Sequence, residues 1–143
     1  MNIMKKTELD DADYELIEEA HKEFDKKTMH DWHGVSCGIR LASGKIITGL
    51  VLEAENPSLT ICAEPIVIGK ALTDISDDPI ITIVATRNRE LTKYKVIPPC
   101  GRCREFITDY CPDANVIIHD DSDSTIFKVP ASDLLPFKYK SNQ

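Results

Sequence analysis

Three cysteines and one glutamate are the residues of this sequence best suited to chemistry. Cys62 and Glu64 are separated by one residue, and Cys100 and Cys103 follow within a Pro-Cys-Gly-Arg-Cys segment. Three thiolates can occupy three corners of a zinc tetrahedron and leave the fourth to water, which distinguishes a catalytic site from a four-ligand structural one. Glu64 is close enough to reach that water and unlike the soft ligands around it, so its expected role is proton carrier.

This spacing resembles the signature of the cytidine deaminase family, in which Cys-x-Glu precedes Pro-Cys-x-x-Cys. The similarity runs from about Val35 to the C-terminus, and within the family the second half looks closest to blasticidin S deaminase. A lone Cys-x-x-Cys is also typical of a redox pair or of half a zinc finger. The resemblance implies that Cys62, Cys100 and Cys103 bind Zn²⁺ and that Glu64 carries protons during hydrolytic deamination of cytosine to uracil, with release of ammonia.

Arg102 is expected to compensate charge at the zinc. Three thiolates around Zn²⁺ give a formal charge of −1, and an arginine between two ligands could drain that charge by hydrogen bonding to sulfur. Members of the family usually carry an arginine directly after the glutamate, but Pro65 occupies that place here. The alternative is that Arg102 is an ordinary solvated surface residue.

The sugar-binding segment matches the family in part. Members of the cytidine deaminase family, which this chain resembles, share a Gly-x-Asn-x-Glu motif whose Asn and Glu contact the ribose. This chain has Gly49, Val51 and Glu53 at the corresponding positions. The resemblance therefore implies that Glu53 binds substrate, although it could equally face solvent on a strand. Valine cannot form the hydrogen bond of the missing asparagine, which puts ribose binding in doubt.

Two aromatic residues complete the expected substrate-binding set. Trp32, with His33 beside it, lies near the position where the family places a ring over the base, although a single tryptophan often only caps a core. Phe137 belongs to a C-terminal aromatic segment that corresponds to a tail covering an active site in this family.

The elements that must position these residues can be read from the hydrophobic periodicity. Apolar residues at three- and four-residue spacing indicate helices, and β-branched runs between turn residues indicate strands. Helices are predicted over 10–27, 62–72 and 102–110, and strands over 35–42, 45–52, 80–86, 116–119 and 126–129. This order predicts an α/β fold, a three-layer α-β-α sandwich with a mixed sheet of about five strands, an antiparallel hairpin at one side and parallel strands beside it.

Both cysteine groups fall where helices are predicted to begin. The free N–H groups and the positive dipole end of a helix favour thiolate over thiol. The predicted helix starts therefore lie where they would help to stabilise the thiolates that bind zinc.

Composition limits the kind of protein and the kind of partner. The chain has 143 residues, 42% of them hydrophobic, which fits a single cytidine deaminase-like domain over 1–143. A net charge of −7 disfavours binding to nucleic acid, and the apolar runs are too short to span a membrane. A small molecule is therefore the expected substrate. Five cysteines, an odd number, suit a reducing, cytoplasmic compartment. The resemblance also implies a homotetramer.

Two further functions remain open from the sequence. The same chemistry could act on another amino-heterocycle, because Val51 removes the usual sugar contact. The metal could also serve only to stabilise a non-catalytic scaffold. The acid at position 64 argues against a scaffold, since a purely structural site has no use for it.

Overall fold

The computed structural model describes residues 4–26, 32–75, 77–88 and 95–141. The described chain contains three α-helices and six strands, together with short 3-10 turns. The helices are α1 (Asp11–Lys22), α2 (Ala63–Asp74) and α3 (Gly101–Tyr110), and the strands are β1 (Val35–Leu41), β2 (Ile46–Leu50), β3 (Ile80–Arg87), β4 (Val96–Ile97), β5 (Asn115–Asp120) and β6 (Thr125–Pro130).

The strands form a single mixed sheet in the order β2-β1-β3-β5-β6, with β4 also paired to β3. β1 runs antiparallel to both β2 and β3, and β6 runs antiparallel to β5. Among the described strands, only β3 and β5 are parallel. The predicted mixed sheet with an antiparallel hairpin at one side is confirmed, but with a single parallel pair rather than a set of them.

The sheet has one strand more than the sequence analysis predicted. β4 pairs with β3 at Ala85 and Thr86, while β5 pairs with the same strand at residues 82–84. β4 is only two residues long and lies between Lys95, which has a positive φ of 58°, and a pair of prolines. Such a short segment has no detectable alternation, so periodicity does not reveal it.

Helices cover both faces of the sheet and make three layers. Successive strand residues point to opposite faces, and Ile83 and Val84 accordingly belong to two different core clusters. Val84 packs in the cluster that contains Leu16 and Ala20 of α1. Ile83 packs in the larger cluster that contains buried residues of α2 and α3. The predicted three-layer α-β-α sandwich is therefore the observed fold.

The helix starts agree closely with the sequence analysis. A capping box between Asp10 and Asp13 begins α1, because each side chain accepts the other residue's backbone N–H. The predicted helix extends to position 27, outside the described residues, whereas α1 ends at Lys22 and a 3-10 turn over Glu23–Asp25 follows, so the prediction is too long at this end. Cys62 and Cys100 occupy the N-cap positions of α2 and α3, as the placement of both cysteine groups at helix starts predicted. In the described chain, no helix has the length and apolar character needed to cross a membrane.

Candidate active site

Two helix N-termini bring three thiols to one place. Cys62 and Cys100 are the N-caps of α2 and α3, and Cys103 lies in the first turn of α3. The three sulfur atoms all lie within 4.8 Å of one another. Cys100 and Cys103, which follow Cys62 by 38 and 41 positions in the sequence, thus share one site with it. The free N–H groups of two helix ends lie beside this site.

The spacing of the sulfurs fits a tetrahedral metal better than a disulfide. Cys62 Sγ lies 3.7 Å from Cys100 Sγ, and Cys100 Sγ lies 3.5 Å from Cys103 Sγ. A zinc ion with Zn–S bonds of about 2.3 Å holds its sulfur ligands about 3.8 Å apart, whereas a disulfide needs about 2.05 Å. The donor set, three soft sulfurs, also suits Zn²⁺.

The three thiols differ in how readily they ionise. Burial raises the pKa of Cys62, and burial together with the charge of Glu64 raises the pKa of Cys103. Burial also acts on Cys100, but hydrogen bonds from the backbone N–H and thiol of Cys103 and from Cys62 outweigh it, so the pKa of Cys100 is lowered. Three thiolates at this spacing therefore call for a cation to hold them together.

Glu64 lies beside the sulfurs in the first turn of α2. It is 4% exposed, and the thiol of Cys103 donates to its Oε2 over 3.4 Å. Burial raises the pKa of this carboxyl, while hydrogen bonds from its own backbone N–H and from Cys103 oppose the rise. A buried acid with a raised pKa next to a group of metal-binding side chains is the usual arrangement for proton transfer.

A cleft of about 520 Å³ opens onto this group. Its lining includes Cys62, Glu64 and Cys100 together with Val35 and Val51. Small-molecule sites commonly have volumes of a few hundred Å³ and mostly apolar linings. The cleft therefore has the size and character of a site for a small ligand, and its lining includes the acid and two of the thiols.

Arg102 and the residues predicted to bind substrate are absent from the described lining of the cleft. Arg102 is exposed, and its Nη1 donates to the Thr60 carbonyl over 3.3 Å, so its recorded contact is with the loop before Cys62 rather than with sulfur. Among the described residues of one chain, the cleft lining does not include Glu53, Trp32 or Phe137. Their expected roles in binding substrate stay predictions.

Those three residues nevertheless differ in their surroundings. Glu53 is half-buried, Trp32 is 37% exposed, and Phe137 is fully exposed with a positive φ of 54°. His33 Nδ1 lies 2.7 Å from the Val51 carbonyl oxygen, which fixes the segment that forms one wall of the cleft.

The cleft also contains residues that the sequence analysis did not assign to the site. Arg87 and Asp121 supply charge to the lining, and Val96 and Ile97 of β4 extend the apolar wall. Arg87 ends β3 and Asp121 follows β5 directly, so both lie at the carboxyl ends of the two parallel strands. Ligand sites of α/β sheets commonly form at this edge, which is the signal that could have pointed to them.

Comparisons with known proteins agree with this geometry. Blasticidin-S deaminase of Bacillus cereus is 35% identical to this chain over 143 aligned residues, which cover 97% of this chain and 100% of that protein. A cytidine deaminase of Halalkalibacterium halodurans is 29% identical over 103 residues, 71% of this chain and 74% of that protein. No protein-family model matches the chain.

The fold has close counterparts among solved structures. The cytidine deaminase of Burkholderia pseudomallei superposes with a TM-score of 0.69 at 24% identity, covering 88% of this chain and 98% of that one. At that identity the likeness speaks for the fold, while the Bacillus cereus relative spans nearly the whole chain. With its Cys-x-Glu and Cys-x-x-Cys segments brought together on two helix ends, this chain belongs to the cytidine deaminase family.

Proposed function

We propose that this protein is a zinc-dependent hydrolytic deaminase that converts the cytosine ring of a small molecule to uracil and releases ammonia. The observation that carries the proposal is the buried Glu64 carboxyl, 3.4 Å from Cys103 Sγ, beside three thiols, two of which line the cleft together with it. A scaffold that used metal only for folding would have no need of a buried acid at this place. The substrate would be a cytidine, a deoxycytidine or a blasticidin S-like cytosine nucleoside.

Cys62, Cys100 and Cys103 would hold the metal, since their sulfurs have the separation expected of zinc ligands. When bound, Zn²⁺ supplies a Lewis acid that makes water a stronger nucleophile at neutral pH. The backbone N–H groups at the starts of α2 and α3 reduce the cost of gathering the thiolates. Arg102, adjacent to Cys103 and two positions after Cys100, is proposed to compensate the charge of the ligands, through the loop that precedes Cys62 or by moving toward the sulfurs.

Glu64 would move the protons of the reaction. Its carboxylate accepts a proton from the attacking water and donates one to the ring nitrogen, and a proton then goes to the amino group as ammonia leaves. Water adds to C4 and the C4–N bond breaks, so the products are uracil and ammonia. The raised pKa of Glu64 suits this work, because the group must be stable in both protonation states.

We propose further that residues 1–143 act as a single cytidine deaminase-like domain in the cytoplasm, and as a homotetramer. One sheet joins all the described strands, which supports a single domain. The thiols need reducing conditions to bind metal, which supports the cytoplasm. Glu53, Trp32 and Phe137 are proposed to contact substrate, and a tetramer would allow Phe137 to do so in a neighbouring subunit.

The test is a deaminase assay on protein loaded with one equivalent of zinc. The substrates are cytidine, deoxycytidine, cytosine and blasticidin S, followed by the loss of the absorbance of the aminopyrimidine ring. We expect turnover of at least one nucleoside by the parent and none by Glu64→Gln, which keeps the shape of the side chain but cannot carry protons. Zinc content and circular dichroism of Glu64→Gln should match the parent.

The outcomes separate the alternatives. Activity of Glu64→Gln within tenfold of the parent contradicts the assigned role of the acid. Failure of all four substrates, with zinc bound and the fold intact, contradicts the deamination of cytosine compounds. In that case a panel of other amino-heterocycles tests the same chemistry on a different ring, an alternative that Val51 in the cleft wall favours.

A further inference from the structure

Arg87 lies in a row of residues that crosses three adjacent chain segments beside the cleft. It ends β3 and pairs with Val35 at the start of β1. The N–H of Val51, just after β2, donates to the Val35 carbonyl over 2.9 Å. Arg87 is therefore two chain segments away from Val51, about 10 Å at the usual spacing of strands, and all three residues line the cleft.

The row faces the side of the sheet that carries the thiols. Paired residues of antiparallel strands direct their side chains to the same face, and residues two apart on one strand do so as well. Cys37, two residues after Val35, packs in the core cluster that contains Ala63 and Val67 of α2. The Arg87 side chain thus shares its face of the sheet with the helix that carries Glu64.

The guanidinium of Arg87 has no partner in the described part of the chain. The side chain is half-buried, yet no hydrogen bond or ion pair joins it to another described residue. Other arginines are engaged: Arg40 with Glu15, and Arg104 with the Pro99 and Leu134 carbonyls. The N–H donors of a guanidinium are strong hydrogen-bonding groups, so Arg87 leaves binding capacity unused in the cleft.

Asp121, which also lines the cleft, does not supply that partner. Its Oδ1 lies 2.9 Å from Nδ1 of the buried His119, and it forms no ion pair with Arg87. The remaining ionisable groups of the described lining, Glu64, Cys62 and Cys100, are acidic. The described lining therefore offers one cation, with apolar side chains on both sides of it.

We propose that Arg87 binds an anionic group, a carboxylate or a phosphate, on the part of the substrate outside the base. The inference deepens the proposed function and rests on it: the preferred substrates are cytosine nucleosides that carry negative charge near the sugar. A guanidinium binds carboxylate and phosphate oxygens in a planar, two-point arrangement. Val51 and Val35, in the same row, would then replace hydroxyl recognition with apolar contact, and Arg87 would supply the polar contact instead.

Charge is the reason to expect an anion rather than a neutral acceptor. The chain has a net charge of −7, so its field repels anions from the surface as a whole. An anionic substrate therefore needs a local cation to be accepted, and Arg87 is placed to be that cation. With a neutral substrate, this half-buried guanidinium would have no counter-charge among the residues that the structure describes, which is unfavourable.

The test compares substrates that differ only at the sugar. Zinc-loaded parent protein is assayed with cytidine, cytidine 5′-monophosphate and the 5′-carboxylate of cytidine, and kcat/KM is measured for each. We expect kcat/KM for the better anionic substrate to be at least ten times that for cytidine. In Arg87→Gln, the ratio of kcat/KM for the anionic substrate to kcat/KM for cytidine should fall at least tenfold, mostly because KM for the anionic substrate rises. Arg87→Lys should restore part of this ratio. The larger of the two anionic ratios identifies phosphate or carboxylate as the preferred group.

A matched control removes the same charge elsewhere. Lys45 is exposed in the turn at the opposite end of β1 from Val35, so Lys45→Gln changes the net charge without changing the cleft. It should leave the anionic preference within twofold of the parent. A preference that is absent in the parent, or unchanged within twofold in Arg87→Gln, would overturn the inference while leaving the proposed deamination intact.

Product binding separates this inference from the proposed function. Calorimetric titration of zinc-loaded parent and Arg87→Gln with uridine, uridine 5′-monophosphate and the 5′-carboxylate of uridine needs no turnover. If no cytosine compound is deaminated, the proposed function fails, and the titrations alone decide the role of Arg87. Anion binding at least tenfold tighter in the parent than in Arg87→Gln supports it, and equal affinity overturns it.

Discussion

At the scale of single residues, the site depends on thiols with unequal tendencies to ionise. Hydrogen bonds from neighbouring groups lower the pKa of Cys100, which favours the thiolate that binds metal. The raised pKa values of Cys62 and Cys103 favour the protonated thiol. Metal binding must therefore release protons, and it should weaken as the pH falls. Cys111, whose pKa burial raises to about 12, lies in the core and has no such role.

This difference between cysteines gives the first prediction. Cys100→Ser should lose most of its zinc, because a hydroxyl is a poor replacement for a thiolate, whereas the parent should bind about one zinc per chain. Cys111→Ala removes a thiol of the core and should keep the metal at the parent level. Elemental analysis of protein purified without chelator checks both, and full zinc retention in Cys100→Ser would contradict the assignment.

At the scale of elements, the helices pack closely against β1 and β2 at two glycines. A Cβ at Gly38 would lie 3.0 Å from Ala20 Cβ and 3.2 Å from Leu16 Cδ1, both on α1. A Cβ at Gly49 would lie 2.9 Å from Val67 Cγ2 on α2. Small residues at these two positions allow helices on opposite faces to approach the same pair of strands.

The second prediction concerns this close approach. Gly38→Ala should lower the free energy of unfolding by about 1–3 kcal/mol, because the added methyl group overpacks the contact with α1. Gly69→Ala is the matched control: it lies in α2 with open space around it, and should raise stability by about 0.5–1 kcal/mol. Urea unfolding of both variants measures the difference. Equal stability of the two would show that α1 can shift to accommodate the methyl group.

A buried carboxylate joins the end of the first helix to the second strand. Glu23, in the 3-10 turn after α1, accepts hydrogen bonds from Thr48 Oγ1 over 2.7 Å and from Lys26 Nζ over 3.0 Å. Burial alone would raise the pKa of Glu23, but these hydrogen bonds outweigh it and lower the pKa from its ordinary value of 4.5. The ionised form therefore stabilises the fold.

The third prediction is a pH dependence with a definite sign. A pKa lowered by folding contributes stability above the unfolded value of 4.5, and this contribution is lost as the pH falls through the folded-state pKa. Glu23→Gln should therefore be less stable than the parent at neutral pH, by about 1 kcal/mol or more, and should lose less stability on acidification. Urea unfolding between neutral pH and acid measures both slopes, and the exposed Glu55→Gln should retain the slope of the parent.

At the scale of the whole molecule, the C-terminal segment presents aromatic surface to solvent. Lys138 anchors it to α3, with its Nζ 2.8 Å from Thr108 Oγ1 and also bonded to the Asp109 carboxylate. Phe137 and Tyr139, on either side of this anchor, are 105% and 81% exposed. A fixed segment with two exposed rings is well suited to contact another subunit.

The fourth prediction is the assembly itself. Light scattering at micromolar concentration should give a mass near four times the 16.0 kDa of one chain. Phe137→Ser should shift the population toward smaller species, because it removes apolar area from the expected contact, whereas Phe137→Tyr should retain the tetramer. A parent that is monomeric and fully active would refute the tetramer.

Much of this protein was determined by local sequence. The cysteine groups marked helix starts, and α2 and α3 begin beside Cys62 and Cys100 as expected. The periodicity of longer segments predicted the right type for each α-helix and for five of the strands in the described part of the chain, because side-chain burial repeats along a regular element. The family resemblance rested on two short segments, Cys-x-Glu and Pro-Cys-x-x-Cys, and the spacing within each segment is also a local property.

The tertiary structure decided what depends on residues far apart in the chain. β4 exists only because β3 offers its edge at Ala85 and Thr86. Arg87 and Asp121 both line the cleft because β3 and β5 are parallel neighbours, a pairing that no local pattern specifies. Arg102 contacts Thr60, a partner that its own segment could not indicate. Local periodicity records which face of an element is buried, but the register and the order of strands arise from packing between elements, and these place the charge in the cleft.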